Sequence, residues 1–373
     1  MIAITQDLPR AFRGLRALVV GDTMLDSYLR GASHRICQEA PVPIVDVQQR
    51  FDMPGGAGNC AANLAAMEAA TTLLTAFGND WEGSQLRRLL RDARVDVGGA
   101  PVSSGRRTLA KLRALAEQQM VVRLDQGSTA AIDGDAERAL LGQLDVLYPL
   151  ADAVVVSDYG YGVLTPAVVE RLAALQAKHR RVLAVDSKRL AVYRDIGITA
   201  CKPNYREAVQ LLGATAAPTN GQRCPWLIER GPRVLELSGA EIAAVTLDGE
   251  GAIIFQSGHE PYRTFARAAP SHRATGAGDT FVCVLALALA AGASAPAAAE
   301  CASAAAALAV SKEYTATCTL EELIRRGDGQ REPGERWENL PRIIEEHREN
   351  SRRIVLTNGC FDILHRGHVA YLE

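Results

Sequence analysis

Gly276-Ala277-Gly278-Asp279 is the stretch of this chain whose residue types and order are best suited to chemistry. Small residues bring the backbone close to a ligand, and the apolar run from Phe281 to Gly292 predicts a helix whose free first-turn N–H groups point at that ligand. Unpaired amides and the helix dipole together favour an anion there. Asp279 places a carboxylate beside that anion hole, which suits a base taking a proton from a hydroxyl that attacks a phosphate. The same letters also describe a glycine-rich turn with an Asp in the first turn of a core helix. Gly55-Gly56-Ala57-Gly58-Asn59 is a second such stretch ahead of an Ala-rich helix. Its glycines allow a polyhydroxyl ligand to approach the backbone, and Asn59 can both donate to and accept from a hydroxyl. No Walker A pattern is present, nor a strand-linked G-x-G-x-x-G with an acidic partner, which disfavours P-loop and dinucleotide-binding folds.

Elements must bring these stretches together. The 373 residues are enough for one large domain plus an appendage. Apolar runs at Leu15–Gly21, Ala153–Ser157, Val182–Asp186 and Ile242–Leu247 read as buried strands. Helical stretches alternate with them at Cys60–Ala70, Ser84–Ala93, Asp135–Leu147, Pro166–His179 and Tyr205–Leu212, which predicts an α/β doubly wound, mostly parallel sheet flanked by helices. Ligands in such folds bind beyond the carboxyl ends of the strands, so Asp22, Asp158, Asp186 and Asp248 mark the expected site. Ser27–Arg50 and Val102–Asp125 break the rhythm and read as extended strands of a small β lid. Their exposed edges need covering, which predicts a homodimer through the lid.

Hydrophobic residues make up 48% and charged residues 23%, values of a soluble globular protein, and the net charge of −2 implies no affinity for nucleic acid or membrane. The first twenty residues carry charges and lack the apolar core of a signal peptide. Eight cysteines with no Cys-x-x-Cys pair argue against a zinc site or redox pair and for a reducing cytoplasm. From Glu321 the chain becomes strongly charged and reads as a linker with one amphipathic helix over 321–350. A new strand at Arg353–Thr357 then opens a further domain over 351–373.

The ordered set Gly21-Asp22-x-x-Leu25-Asp26, Gly55-Gly56-x-x-Asn59, Asn204-x-x-Glu207 and Gly276-x-Gly278-Asp279 resembles the PfkB/ribokinase family of sugar kinases from residue 11 to about 320, within a kinase domain expected over 1–320. Val19–Asp26, Glu39–Val45, Thr108–Asp125 and Ser157-Asp158-Tyr159 look like the heptose 7-phosphate kinases of that family. Asn358-Gly359-x-Phe361-Asp362-x-Leu364-His365-x-Gly367-His368 looks like the opening of a Rossmann-like nucleotidyltransferase. That order resembles the bifunctional heptose kinase–nucleotidyltransferases of lipopolysaccharide core-heptose synthesis.

The resemblance implies ATP- and Mg²⁺-dependent phosphorylation of D-glycero-D-manno-heptose 7-phosphate at its anomeric hydroxyl. It makes Asp279 the base and Gly276, Ala277 and Gly278 the anion hole. Asp22, Asp26, Gly55, Gly56, Asn59 and Asp158 would bind the sugar, and Lys111, Arg113 and Arg123 its phosphate. Asn204 and Glu207 would organise Mg²⁺ through water. Asp186, Lys188, Thr246, Asp248 and Gly251 would face the nucleotide. His365 and His368 match the HxGH signature of the second domain, whose remaining site residues are absent from this sequence, so adenylyl transfer is not expected of it.

Two positions depart from the family pattern. Tyr161 stands where heptose kinases often carry Lys, and Arg273-Ala274-Thr275 where they carry Asp-Val-Thr. In many relatives that Asp helps hold a monovalent cation beside the anion hole. The Arg273 guanidinium is expected to take the cation's place, so turnover at constant ionic strength should not change when K⁺ replaces tetramethylammonium. A strong K⁺ dependence would refute this.

Overall fold

The computed structural model describes residues 7–117, 119–215, 217–218, 222–264, 276–312, 314–315 and 317–327. The chain divides into two units, Met1–Asp328 and Gly329–Glu373. The second lies outside the described residues, with His365 and His368, and so do Arg273, Ala274 and Thr275.

The first unit runs α1 (Asp7–Arg10), β1 (Arg16–Gly21), β2 (Thr23–Ile36), β3 (Pro43–Gly56), α2 (Ala57–Ala66), β4 (Ala70–Leu74), β5 (Phe77–Gly78), α3 (Trp81–Asp92), β6 (Val102–Ser103), β7 (Ala110–Ala116), β8 (Gln119–Gln126) and α4 (Gly134–Leu147). It continues with β9 (Ala153–Asp158), α5 (Pro166–Lys178), β10 (Val182–Ser187), β11 (Ala200–Cys201), α6 (Tyr205–Leu211), α7 (Arg223–Ile228), α8 (Gly231–Ser238), β12 (Ile242–Thr246), β13 (Ala252–Gln256), β14 (Tyr262–Thr264), α9 (Ala277–Ala290), α10 (Ala295–Val310) and α11 (Leu320–Gly327).

Eight strands form the main sheet in the order β14-β13-β12-β11-β10-β9-β1-β4. The pairs from β4 to β12 are parallel, and β13 and β14 add an antiparallel edge. Strands such as β1 are apolar on both faces because helices cover both sides of the sheet. Val19 joins the layer made with α2, α9 and α10, whereas its neighbours Leu18 and Val20 join the layer made with α4 and α5. Helix α9 is apolar around its whole circumference and correspondingly buried from Asp279 to Ala288.

Both segments that break the α/β rhythm enter the lid, a four-stranded sheet in the order β3-β2-β7-β8. At its base, the Arg113 guanidinium of β7 meets the Asp26 carboxylate of β2 at 2.7 Å, and both side chains are buried. The Tyr314 ring lies 4.8 Å from each of the Tyr28 and Phe51 rings, which ties the lid to the segment after α10. The outer strand β8 is exposed along its length, including Met120, Val122 and Leu124.

Residues 320–327 form α11, which buries Leu320 and Leu323 in the core, so this helix at the start of the charged stretch packs on the main unit. The sheet also gains β4, β11, β13 and β14, whose short Ala/Thr-rich or hairpin segments carry no long apolar run.

Gly21 closes β1 where it pairs with Ser157 of β9, and a Cβ there would lie 2.1 Å from the Ser157 carbonyl oxygen. Gly21→Ala should therefore force the central strands apart. A loss of about 1–3 kcal/mol or more is expected in denaturant unfolding, the range of overpacked cores. An unchanged midpoint would refute this.

Candidate active site

The carboxyl ends of β9, β10 and β11 and the amino ends of α6 and α9 enclose a cavity of ≈ 270 Å³. Asp158 and Tyr159 reach it from β9, Asp186 and Lys188 from β10, and Lys202 from the residue after β11. Asn204 and Glu207 enter at the start of α6, and Gly276, Gly278 and Asp279 at the start of α9.

Helix α9 begins at Ala277, which puts Asp279 in its first turn. Gly276 precedes it in the left-handed region, at φ 86°, where a side chain would be strained and its Cβ would lie 2.8 Å from Asn59 Nδ2. The Asp279 carboxylate is 6% exposed. Asn59 Nδ2 donates to its Oδ2 at 2.7 Å and Tyr159 Oη to its Oδ1 at 3.1 Å. Burial pushes this carboxyl up to about 6; the Asn59 hydrogen bond opposes the shift and the nearby Asp186 charge adds to it. Asn63 Nδ2 in turn donates to Asn59 Oδ1 at 3.1 Å, which leaves the Asn59 amide oriented with its NH₂ toward Asp279.

Lys202 is 5% exposed and its Nζ meets Asp186 Oδ2 at 3.1 Å. Burial disfavours this ammonium, but the carboxylates of Asp186, Glu207 and Asp279 outweigh burial and hold it charged. A Cβ added to Gly278 would come within 3.0 Å of Lys202 Nζ, so the ammonium lies against the first turn of α9. Backbone amides and a fixed cation thus face the same space, as charge building up on a transferring group requires.

Asn204 and Glu207 form a capping box on α6: Glu207 N–H donates to Asn204 Oδ1 at 2.9 Å and Asn204 N–H to Glu207 Oε2 at 2.8 Å. Burial raises the Glu207 carboxyl above its ordinary range. Among the described residues no group of three or more His, Cys, Asp or Glu side chains encloses a metal. The donors at this end of the cavity, on Asp186, Asn204 and Glu207, are hard oxygens, which fit a Mg²⁺ ion that keeps much of its water.

Several expected site residues have other partners. Asp22 is fully buried, and its carboxylate accepts the backbone N–H groups of Tyr159, Tyr161 and Val163 at 2.9–3.0 Å. It shapes the loop after β9 and has no exposed edge for a sugar. Arg113 is held by Asp26, and Arg123 by Asp125 at 2.9 Å on the exposed strand β8, so neither offers an uncommitted cation. Asp158 lines the cavity while its carboxylate serves Ser187 Oγ, Tyr193 Oη and Gly160 N–H. Thr246 adjoins Asn204 through a bridge, but Thr246, Asp248 and Gly251 do not line the cavity, and Asp248 is paired with Arg223. Gly55 packs against Asp26, where a Cβ would lie 2.4 Å from Oδ2, and Gly56 against Asp22 and Tyr159.

Tyr159 and Lys202 were not among the expected site residues. Each had a sequence signal: Tyr159 follows a strand-ending Asp, and Lys202 stands two residues before Asn204-x-x-Glu207.

Comparisons with known proteins agree with this fold. Residues 15–323 match the pfkB family carbohydrate kinases. The bifunctional protein HldE of Desulfatibacillum aliphaticivorans is 36% identical over 97% of this chain and 74% of its own length. The HldE of Azotobacter vinelandii is 39% identical over 95% of this chain and 73% of its own. Phosphofructokinase-2 from Escherichia coli in complex with substrates and products shares the fold, with a TM-score of 0.69 at 22% identity over 84% of this chain and 98% of its own. So does Arabidopsis thaliana ribokinase complexed with ribose and ATP, with a TM-score of 0.65 at 19% identity over 84% and 98%.

The raised Asp279 carboxyl has a stability cost with a defined sign. The folded state binds a proton that the unfolded state releases between about pH 4 and 6, so stability falls as pH rises through that window, by about 2–3 kcal/mol in total. Asp279→Asn removes this cost. The variant should be more stable than the parent at pH 8, with the advantage shrinking below pH 6 and vanishing below pH 4. Equal stability at every pH would show that Asp279 titrates normally.

Proposed function

The chain belongs to the pfkB family of carbohydrate kinases, and from that premise we propose that it transfers the γ-phosphoryl group of ATP to the anomeric hydroxyl of D-glycero-β-D-manno-heptose 7-phosphate, giving the 1,7-bisphosphate for ADP-heptose biosynthesis. The observation that carries the chemistry is Asp279: a buried carboxylate with a raised pKa, held at both oxygens and set beside the start of α9 and the Lys202 ammonium. The heptose assignment rests on the motifs at Val19–Asp26, Glu39–Val45, Thr108–Asp125 and Ser157–Tyr159, and HldE relatives along nearly the whole chain support it.

In this reading the acceptor hydroxyl approaches Asp279 and gives it its proton. The hydroxyl oxygen bonds to the γ-phosphorus as the bond to the β–γ bridging oxygen breaks, and ADP leaves with that electron pair. Backbone amides at Ala277 and Gly278 and the Lys202 ammonium face the oxygens on which charge accumulates. Asp186, Asn204 and Glu207 are placed to hold water-bound Mg²⁺, which supplies charge neutralisation on the nucleotide phosphates when bound. Asn59 and Tyr159 fix the direction in which the base accepts its proton.

Two further assignments go with this reading. The exposed apolar side chains of β8 and its open edge suit a homodimer through the lid. All seven described cysteines are free and no described helix is long and apolar enough to cross a membrane, in keeping with a cytoplasmic enzyme. Residues 351–373 are assigned to the start of a nucleotidyltransferase domain on their sequence motif alone.

The test is ADP release from Mg-ATP with the heptose 7-phosphate, fructose 6-phosphate, ribose and adenosine as acceptors. Turnover is expected with the heptose 7-phosphate, reduced about 10²–10⁴-fold in Asp279→Asn. Preference for another acceptor would replace the heptose assignment. Failure with every acceptor despite ATP binding would mark the chain as a ligand-binding relative without kinase activity.

A further inference from the structure

Of the three cations expected to hold the acceptor's phosphate, Arg113 and Arg123 are engaged by aspartates, which leaves Lys111. Its surroundings are unusual. Lys111 Nζ, on lid strand β7, lies 5.6 Å from the centroid of the Tyr159 ring and 5.5 Å from that of Tyr161. Lys188 Nζ, just after β10, lies 5.5 Å and 5.9 Å from the same two centroids. The rings are nearly parallel, with an interplanar angle of 15° and centroids 6.2 Å apart. Two ammonium groups from different sheets are therefore held against one pair of tyrosines. Among the described residues, no carboxylate lies within 4 Å of either Nζ.

Two like charges close to one aromatic pair repel each other, and the ring faces, together with the Asp26 and Asp125 charges that act on Lys111, relieve only part of that cost. A dianion between them relieves the rest, which makes the arrangement suited to a phosphate monoester. Tyr159 also fixes where that monoester lies. Its Oη donates to Asp279, while its ring carries the two lysines. One side chain thus links the point where a hydroxyl loses its proton to the point where a phosphate is held. The Asn204–Glu207 end of the cavity belongs to a separate element, the start of α6, although Lys188, expected from the sequence to face the nucleotide, lines the same cavity and its charge reaches the Glu207 carboxyl. A ligand that reaches both ends of Tyr159 has a hydroxyl at one end and a phosphate at the other.

We propose that Tyr161 is a specificity-determining residue: with Tyr159 it forms a two-ring platform that positions Lys111 and Lys188 as a clamp for the phosphate of a phosphorylated sugar acceptor. On this account the tyrosine that stands where heptose kinases often carry lysine does not delete a phosphate contact. It replaces a direct charge with a surface that organises two others. Tyr161 is a positioning residue, acting through the lysines. The backbone N–H of Tyr161 donates to Asp22 and its carbonyl accepts from Arg106, and side-chain substitution leaves both groups in place.

The proposal rests on the sugar-phosphate reading of the site, and the experiment separates the two. Calorimetric titrations without turnover would measure binding of the heptose 7-phosphate, fructose 6-phosphate and ATP to the parent chain, Tyr161→Ala, Tyr161→Phe, Lys111→Met and Lys188→Met, with melting curves confirming that each is folded. Tyr161→Ala, which removes the cation–π contacts to both lysines, and each lysine variant, which removes one cation from the phosphate, should weaken the phosphorylated sugar about 10-fold without weakening ATP. Restoring the ring in Tyr161→Phe should recover the affinity. Combining Tyr161→Ala with Lys111→Met should cost less than the sum of the two. Sugar-phosphate binding that ignores Tyr161→Ala would overturn the platform and leave the kinase reading intact. Weakening of ATP in place of the sugar phosphate would assign the lysines to the nucleotide and also overturn it. A parent chain that binds neither sugar phosphate would overturn the acceptor class and the platform together.

Discussion

In the proposed mechanism Asp279 has to be buried deeply enough to bind a proton near neutral pH, yet it must lose that proton to act as a base. Both requirements come from its place in the first turn of α9, a helix apolar on every side and packed between the sheet and α10. Burial raises the carboxyl, and two donors, Asn59 and Tyr159, keep the ionised form within reach. A surface carboxylate would be ionised but weakly basic, and a buried one without donors would stay protonated. The rest of the site follows from this compromise. Gly276 leaves room for the Asn59 amide, Asn63 orients that amide, and Asp22 shapes the loop that carries Tyr159.

The chain separates rigid from adjustable parts accordingly. Asp279, the first turn of α9 and Lys202 stand at the ends of strands and helices of the main sheet, whose parallel strands are buried on both faces. The lid is built from long strands with exposed outer halves, tied down at the Asp26–Arg113 pair and the Tyr28–Tyr314–Phe51 cluster. Phosphoryl transfer is mainly positioning and charge stabilisation, so fixed donors suit the reacting end and a separate sheet suits acceptor recognition. The two lysines against Tyr159 and Tyr161 come one from each part, so the proposed phosphate clamp would link acceptor binding to the lid.

Much of this was legible in the sequence because its causes are local. Continuous apolar runs such as Leu18–Val20 can be buried only between two helical layers, and their polar ends mark the site. The first turn of α9 announced itself through Gly-Ala-Gly-Asp followed by an unbroken apolar run. What escaped depends on partners far apart in sequence. Nothing around Asp22 signals that its carboxylate will be consumed by amides some 140 residues later, nor around Arg113 that Asp26 will hold it across the lid. Lys202 follows a two-residue strand, too short to be read from its pattern. From Glu321 the charges suggest a linker with an amphipathic helix, but only Leu320 and Leu323, buried in the core, show where α11 packs.

The most direct measurement is the pH dependence of kcat/KM for the acceptor that turns over, in the parent chain and in Tyr159→Phe. The account predicts an acid limb falling about tenfold per pH unit below a midpoint near 6. The limb should move to higher pH in Tyr159→Phe, which loses a hydrogen bond that favours the ionised carboxylate. That displacement distinguishes Asp279 from titration of the substrates, which the substitution cannot move. A profile flat down to pH 4.5, or a limb unmoved by Tyr159→Phe, would contradict the claim that Asp279 is the buried base.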